Sequence, residues 1–257
     1  MRVSDGQTKP ESVSDMPKET LARYVASMFH RLILHHVIWF TEVRHQMGHD
    51  RAMELLDQQV RASLPIQFKR LSKVLGFEMK EELPAALFDL PEEKLHELLE
   101  AVSANWLAND GVWFQTVENA YGMEEAKRCN DSCWAQFSPL EAGLVRNILD
   151  LPEKPGLDGL KKALAFRLYT NVNTQSIIDE GPESFVFQMN NCRVQAARKR
   201  RDLPDYPCKT AGLVEYAYFA RSIDPRIDTE CIGCPPDEHP EEWFCAWRFT
   251  ISKSEPS

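Results

Sequence analysis

The stretch Trp243-Phe-Cys-Ala-Trp-Arg-Phe-Thr-Ile251 decides the fold of the C-terminal half. Its bulky or apolar side chains recur at every second position, and Ala246, Arg248 and Thr250 fill the positions between them. Alternation with period two is typical of a β-strand that buries one face. The stretch therefore predicts a strand packed against a core.

Similar patterns precede this strand. Alternation at 185–190, a short β-branched run at 176–179 and a turn at Gly181-Pro182 predict a β-hairpin. Helical spacing of apolar residues covers 160–168 and 213–218. The order of these elements predicts an antiparallel sheet covered by helices on one face, which is an α+β fold.

The first half contains an internal repeat, because residues 13–76 align without gaps on residues 87–150. Trp and Pro rarely match by chance, and both are among the identical pairs. Those pairs are Asp15/Asp89, Pro17/Pro91, Glu19/Glu93, Leu21/Leu95, Trp39/Trp113, Phe40/Phe114, Val43/Val117, Gly48/Gly122, Ala52/Ala126, Asp57/Asp131, Pro65/Pro139 and Leu75/Leu149.

Each repeat reads as two helices. An acid, a Pro and a Glu open the first helix, which we expect to end at Gly48 or Gly122. The second helix is expected to be bent or broken at Pro65 or Pro139. The sequence thus predicts a disordered tail (1–14), a helical bundle built from the duplicated unit (15–155) and an α+β domain (156–257).

Composition excludes several classes of protein. Over 257 residues the formal net charge is −9, which argues against general binding of nucleic acid. No stretch reaches the roughly 20 apolar residues of a membrane span, and residues 1–14 lack the apolar centre of a signal peptide. Seven cysteines without an export signal favour a reducing compartment, so we expect a cytoplasmic protein.

Four cysteines, Cys208, Cys231, Cys234 and Cys245, carry the strongest chemical pattern. Two cysteines separated by two residues can grip one ion, and two distant thiolates can complete a tetrahedron. The pattern predicts a structural zinc site. An iron–sulfur cluster with the same ligands, or four buried thiols without metal, are the alternatives.

Polar residues precede the Trp-Phe pair of each repeat. The first copy has His36 where the second has Asp110, and a contact between the two would create an acid/base pair. The alternative is that both are ordinary polar groups near a helix surface. Trp113, next along the second copy, is a candidate aromatic contact for a ligand.

The segment Cys192-Arg-Val-Gln-Ala-Ala-Arg198 leaves a predicted strand and enters a helix. Arg193 and Arg198 are candidates for binding a carboxylate, with Gln195 adding a hydrogen bond. The arginines could equally pair with acids of this chain. Cys192 is a candidate nucleophile, and the alternative is a buried thiol without a catalytic role.

Residues 177–251 resemble the 4-vinyl reductase domain, a fold that senses small molecules. The resemblance maps Cys208, Cys234 and Cys245 onto three cysteine ligands of that domain, and Cys231 onto a glutamate ligand. It implies a small-molecule pocket beside a structural zinc ion.

Residues 95–251 also resemble an uncharacterised group of bacterial and archaeal cytosolic proteins. The shared motifs are Asn109-Asp-Gly-Val-Trp-Phe114, the segment 192–198 and Cys231-Ile-Gly-Cys-Pro-Pro-Asp237. A related group hydrolyses a thiazoline carboxylic acid.

Three functions remain open from the sequence. The first is a cytosolic small-molecule-binding protein with a structural metal site of four cysteines. The second is a hydrolase acting on a small nitrogen-containing carboxylic acid, and the third is a protein-interaction scaffold. The expected partners are a small molecule and, in a homodimer, a second copy of the chain.

Overall fold

The computed structural model describes residues 10–202 and 204–251 and confirms the α+β class, with helices followed by an antiparallel sheet. The chain forms two compact units, of which the first ends at Leu75 and the second begins at Gly76. Residues 1–9 of the predicted tail lie outside the described residues, and Val13–Asp15 forms one turn of 3-10 helix.

The first unit is a helical hairpin made of α1 (Lys18–Met47) and α2 (His49–Leu75). Gly48 separates the helices with a φ of 87°, a conformation that favours glycine, and this confirms the predicted stop. Only Ala52 and Met53 are buried in the hairpin, whereas α1 buries no residue. An apolar face of α1 is therefore exposed.

The second unit opens with the second copy of the hairpin. Residues 79–80 (β1) and 83–84 (β2) pair, and α3 (Ala85–Asp89) leads into α4 (Glu92–Tyr121) and α5 (Met123–Leu149). The two long helices match α1 and α2 residue for residue in the predicted alignment. The repeat in the sequence is therefore a repeat of structure.

Of the bend or break predicted at proline in the second helix of each repeat, the break does not occur. Helix α2 continues through Pro65, and α5 continues through Pro139. A proline inside a helix removes one backbone hydrogen bond, and the remaining turns of a 27-residue helix keep it continuous.

The rest of the second unit surrounds a four-stranded antiparallel sheet with the strand order β3-β4-β6-β5. Its elements are α6 (Gly156–Leu164), β3 (Thr174–Asp179), β4 (Ser184–Asn191), α7 (Arg193–Lys199), α8 (Lys209–Ile223), β5 (Ile227–Gly233) and β6 (Cys245–Ile251).

The core lies between the sheet and helices α6 and α8. The decisive stretch forms β6, where Trp247 and Phe249 are completely buried and pack against Tyr216 of α8. Phe185 and Phe187 of β4 complete the same layer. The side chains that the predicted period-two alternation places on one face, Trp247 and Phe249, are therefore the ones that pack in the core.

The contacts place the division between the compact units at 75/76, whereas the sequence placed the domain boundary at 155/156. Helix α5 packs along α8. It buries Trp134, Glu141, Ala142 and Val145, so the second hairpin belongs to the same unit as the sheet. No helix within residues 10–202 or 204–251 is long and apolar enough to cross a membrane.

Gly212 of α8 provides a test of this packing. A Cβ atom at Gly212 would lie 2.5 Å from the Trp247 ring, so Gly212→Ala must displace a core side chain. We expect the free energy of unfolding to fall by about 1–3 kcal/mol in urea denaturation.

The matched control is Gly111→Ala in α4, where an added Cβ meets nothing within 4 Å. Alanine is the better helix former, so stability should be unchanged or rise by up to about 1 kcal/mol. Equal effects of the two substitutions would contradict the close approach of α8 to the sheet.

Candidate functional site

A pocket of about 360 Å³ lies between α4 and α5 of the second unit. Aromatic side chains form most of its wall, and its polar groups are two asparagines, one aspartate and two thiols. The lining residues are Trp106, Asn109, Asp110, Trp113, Phe114, Val117, Ala126, Cys129, Asn130, Cys133, Trp134 and Phe137.

The inner wall of the pocket is a packed aromatic cluster. The Trp106 ring stacks on Phe137 at 5.9 Å between centroids and meets Trp134 edge-on at 6.0 Å. Trp134 in turn stacks on Tyr169 at 5.5 Å. Trp134 is buried, whereas Trp113 is 60% exposed and stands at the rim. The wall is therefore fixed by packing on the inside and open on the outside.

Among the described residues that line the pocket, Asp110 is the one that carries a formal charge. Burial raises the pKa of its carboxyl. Its negative charge, together with burial, also raises the pKa of the neighbouring Cys133 thiol. Two of the sequence candidates, Asp110 and Trp113, thus lie in the same pocket.

A buried charge cluster lies behind the aromatic wall. Arg167 donates through Nε to Glu141 Oε2 at 2.9 Å, and its Nη2 lies 2.7 Å from Glu215 Oε1. The guanidinium also packs on the rings of Tyr169 and Phe219. Burial alone would lower the pKa of Arg167, but the two glutamates raise it. The cluster joins α5, which carries Glu141, to α8, which carries Glu215.

The four cysteines of the predicted metal site lie at one end of the α8–sheet sandwich. Cys208 is the N-cap residue of α8, and Cys245 is the first residue of β6. Cys231 lies in β5, and Cys234 follows directly after that strand. All four residues contact or belong to the hydrophobic core.

An irregularity in β5 determines where Cys234 lies. Cys231 pairs with Trp247, whereas Gly233 pairs with Ala246, so two residues of β5 advance against one of β6. This β-bulge shifts the alternation by one position. Cys234 therefore reaches the inner side of the sheet, the side to which Cys231 and Cys245 also belong.

The Cys234 thiol interacts with those of Cys208 and Cys245. The Cys208 and Cys234 Sγ atoms are 3.5 Å apart. Hydrogen bonding to Cys208 and Cys245, with burial, raises the pKa of the Cys234 thiol. The hydrogen bond from Cys234 lowers the pKa of the Cys208 thiol. Burial raises the pKa of Cys231, the fourth thiol, to about 11.

In the part of the chain that the structure describes, no group of three or more His, Cys, Asp or Glu side chains is arranged to hold a metal ion as it stands. The thiols of Cys208 and Cys245 are hydrogen-bonded to that of Cys234. A tetrahedral zinc–thiolate site with bonds of about 2.3 Å has sulfurs roughly 3.8 Å apart. The Cys208–Cys234 separation of 3.5 Å is close to that spacing.

Gln195, a sequence candidate for ligand binding, is buried beside this cluster. Its side-chain amide donates to the Tyr206 carbonyl at 2.9 Å and accepts from the Tyr206 N–H at 2.8 Å. The same amide nitrogen lies 3.6 Å from the Cys208 sulfur. Gln195 therefore fixes the segment that carries Cys208. Arg198 donates to the Pro204 carbonyl at 2.6 Å, and Arg193 is exposed.

The candidate catalytic residues lie on three different helices or helix ends. His36 is on α1 of the first unit, and Asp110 is on α4 of the second, so the pairing of the two stays a prediction. Cys192 is the N-cap residue of α7, where burial raises the pKa of its thiol to about 12. A thiol with this pKa is a weak nucleophile near neutral pH.

Sequence reasoning missed Trp106, Trp134 and Phe137 of the pocket wall. The internal repeat held the information, because the equivalent positions in the first copy are Leu32, Val60 and Ser63. Aromatic residues that occur in one copy alone mark the copy that forms the pocket. No comparable pattern in the sequence indicated the role of Arg167, since its partners Glu141 and Glu215 are distant in the chain.

A model of a protein family of unknown function (DUF6125) matches residues 88–251. The chain belongs to this family. The DUF6125 region begins one residue into the second repeat and ends with β6, so it contains both the pocket and the cysteine cluster. Membership confirms the expectation of an uncharacterised family. No curated protein and no solved structure is detectably similar to the chain.

The difference between Cys192 and Cys129 can be measured by alkylation of the native protein. Cys129 is exposed, whereas the Cys192 thiol is protonated near neutral pH. We expect iodoacetamide to modify Cys129 at least about 100-fold faster, as followed by peptide mass spectrometry. Comparable rates would instead identify Cys192 as an activated nucleophile.

Proposed function

We propose that this DUF6125 protein binds a small molecule in the pocket between α4 and α5, and that the cysteine cluster is a structural zinc site. The observation that carries the proposal is the aromatic pocket of about 360 Å³. Ligand pockets of proteins are mostly apolar and have volumes of roughly 300–1,000 Å³, with a few polar groups that set specificity. The pocket matches this description in both size and lining.

The position of the cysteine cluster supports a structural role for the metal. Cys208, Cys231, Cys234 and Cys245 would be its ligands, and a site closed by four thiolates leaves no position for a substrate. Such an ion would join the start of α8 to β5 and β6, and Gln195 would orient the Cys208 sulfur from outside. Direct contact between Cys208 and Cys234 favours a single ion such as zinc over a [4Fe–4S] cluster, in which each cysteine binds a different iron atom.

The resemblance of residues 177–251 to the 4-vinyl reductase domain agrees with both parts of the proposal. It assigns three cysteine ligands to Cys208, Cys234 and Cys245, and these are the residues whose thiols interact around Cys234. It also associates the fold with small molecules.

Binding is favoured over hydrolysis by the chemistry of the pocket. Its lining includes one carboxylate and no histidine, so it does not present a His–carboxylate pair. The half-buried Cys192 thiol, whose pKa is raised by burial, lacks the thiolate character that a nucleophile needs. A scaffold function would not require an aromatic cavity.

Prodan, a neutral naphthalene dye whose emission depends on polarity, tests the pocket. We expect the full chain to bind Prodan with a blue-shifted emission, and Trp113→Ala to weaken binding about tenfold because the rim loses its aromatic face. Trp39→Ala is the matched control, since Trp39 occupies the same position in the first repeat and does not line this pocket. Absence of Prodan binding, or equal effects of the two substitutions, would overturn the pocket proposal.

Metal analysis tests the cysteine cluster. The purified full chain should contain about one zinc ion and lack visible absorption, and Cys234→Ser should lower the metal content together with the melting temperature, because metal binding and folding are coupled.

Cys129→Ser, which changes an exposed thiol on α5, should alter neither quantity. A brown colour together with bound iron would show that the cysteines hold an iron–sulfur cluster and not zinc. If Cys234→Ser had the metal content and melting temperature of the parent chain, the proposal of a metal site at these cysteines would be overturned.

A further inference from the structure

The charge of the pocket lining is negative and is not balanced by a paired cation. Asp110 is the charged residue of the lining, and within residues 10–202 and 204–251 it makes no ion pair or hydrogen bond with a cationic side chain. Withdrawal of a carboxylate from water without a partner is costly. A ligand that brought a positive charge to Asp110 would remove this cost.

The surroundings of the pocket are acidic as well. Glu118 follows Val117 of the pocket lining on α4, and Asp131 follows Asn130 of the lining on α5. Two further carboxylates therefore lie next in the chain to residues of the lining.

The neighbouring cations are engaged elsewhere. Arg167 lies between Glu141 and Glu215, so its charge is already offset by two carboxylates. The Lys127 amine donates to the Pro207 carbonyl and lies 5.3 Å from the centre of the Tyr206 ring. Neither of these side chains forms an ion pair with Asp110.

The aromatic side chains that form the rest of the pocket wall are of the kind that stabilises an organic cation. A positive charge over the face of Trp, Tyr or Phe is attracted by the ring electrons, and Trp gives the strongest attraction. Trp106, Trp113, Trp134 and two phenylalanines surround the space beside Asp110. Inorganic divalent cations, in contrast, take about six or more oxygen ligands, whereas the side chains of this wall offer the carboxylate of Asp110 and the amide oxygens of Asn109 and Asn130.

We propose that the pocket between α4 and α5 is selective for organic cations such as quaternary or tertiary ammonium groups, which pair with Asp110 and pack against the tryptophan rings. This inference rests on the proposed function, because it specifies the chemical class of ligand for the same pocket.

Choline and two isosteres test the charge preference by displacement of Prodan from the full chain. Dimethylbutanol has a neutral tert-butyl group in place of the trimethylammonium group of choline. The carboxylate tert-butylacetate, which is the anion of tert-butylacetic acid, has the same tert-butyl group and a negative charge. We expect choline to displace Prodan at a concentration roughly tenfold or more below that of dimethylbutanol, and tert-butylacetate to be the weakest.

Asp110→Asn keeps the shape of the side chain and removes its charge. We expect it to weaken choline binding about tenfold, to leave dimethylbutanol unchanged and to abolish the preference for the cation. Glu118→Gln is the matched control, since it removes a charge from the same helix outside the pocket lining, and it should retain the preference. The melting temperature of Glu118→Gln should match that of the parent chain, and that of Asp110→Asn should equal or exceed it, because a neutral amide removes the cost of burying an unpaired carboxylate.

The possible results separate the inference from the proposed function. Prodan binding with equal displacement by choline and dimethylbutanol would overturn the cation preference and leave the pocket intact. A preference for choline that survives in Asp110→Asn would also overturn the assigned role of Asp110. Failure of Prodan to bind would overturn the pocket itself.

Discussion

The second unit depends on one buried cation. Arg167 is 2% exposed and lies between Glu141 of α5 and Glu215 of α8, so its charge holds the second hairpin against the helix that covers the sheet. A buried ion pair adds little net stability, but loss of one member leaves an uncompensated charge that costs about 3–5 kcal/mol. The cluster therefore restricts how α5 can pack on α8. The pocket lies on one side of this contact, and the cysteine cluster lies at the beginning of α8.

Local patterns in the sequence were sufficient for the long helices, for strands β3, β4 and β6, and for the class of fold. Period-two alternation identified β6, and the glycines that end the first helix of each repeat identified its boundary at Gly48 and Gly122. These features depend on neighbouring residues, which the sequence displays directly. The boundary between compact units was not predictable in this way, because it is set by the packing of α5 on α8 rather than by a linker.

The candidate site was predicted in parts. Asp110 and Trp113 were identified from the comparison of the two repeats, and both line the pocket. Gln195 was identified as a polar group with a role, but its partners Tyr206 and Cys208 follow from tertiary structure. The two copies of the hairpin differ: the second has an aromatic wall and lies within the family region, whereas the first lies outside residues 88–251.

The bulge in β5 has a consequence for how much the segment can vary in length. In a regular strand, residues 231 and 234 would face opposite sides, since an odd separation reverses the direction of the side chain. One surplus residue between Cys231 and Gly233 cancels this reversal. Removal of the surplus residue together with the bulge would leave an even separation, so both cysteines would still face the core. Loss of the bulge at unchanged length would instead turn the Cys234 sulfur toward solvent. The spacing of the two cysteines and the irregularity of the strand therefore have to change together.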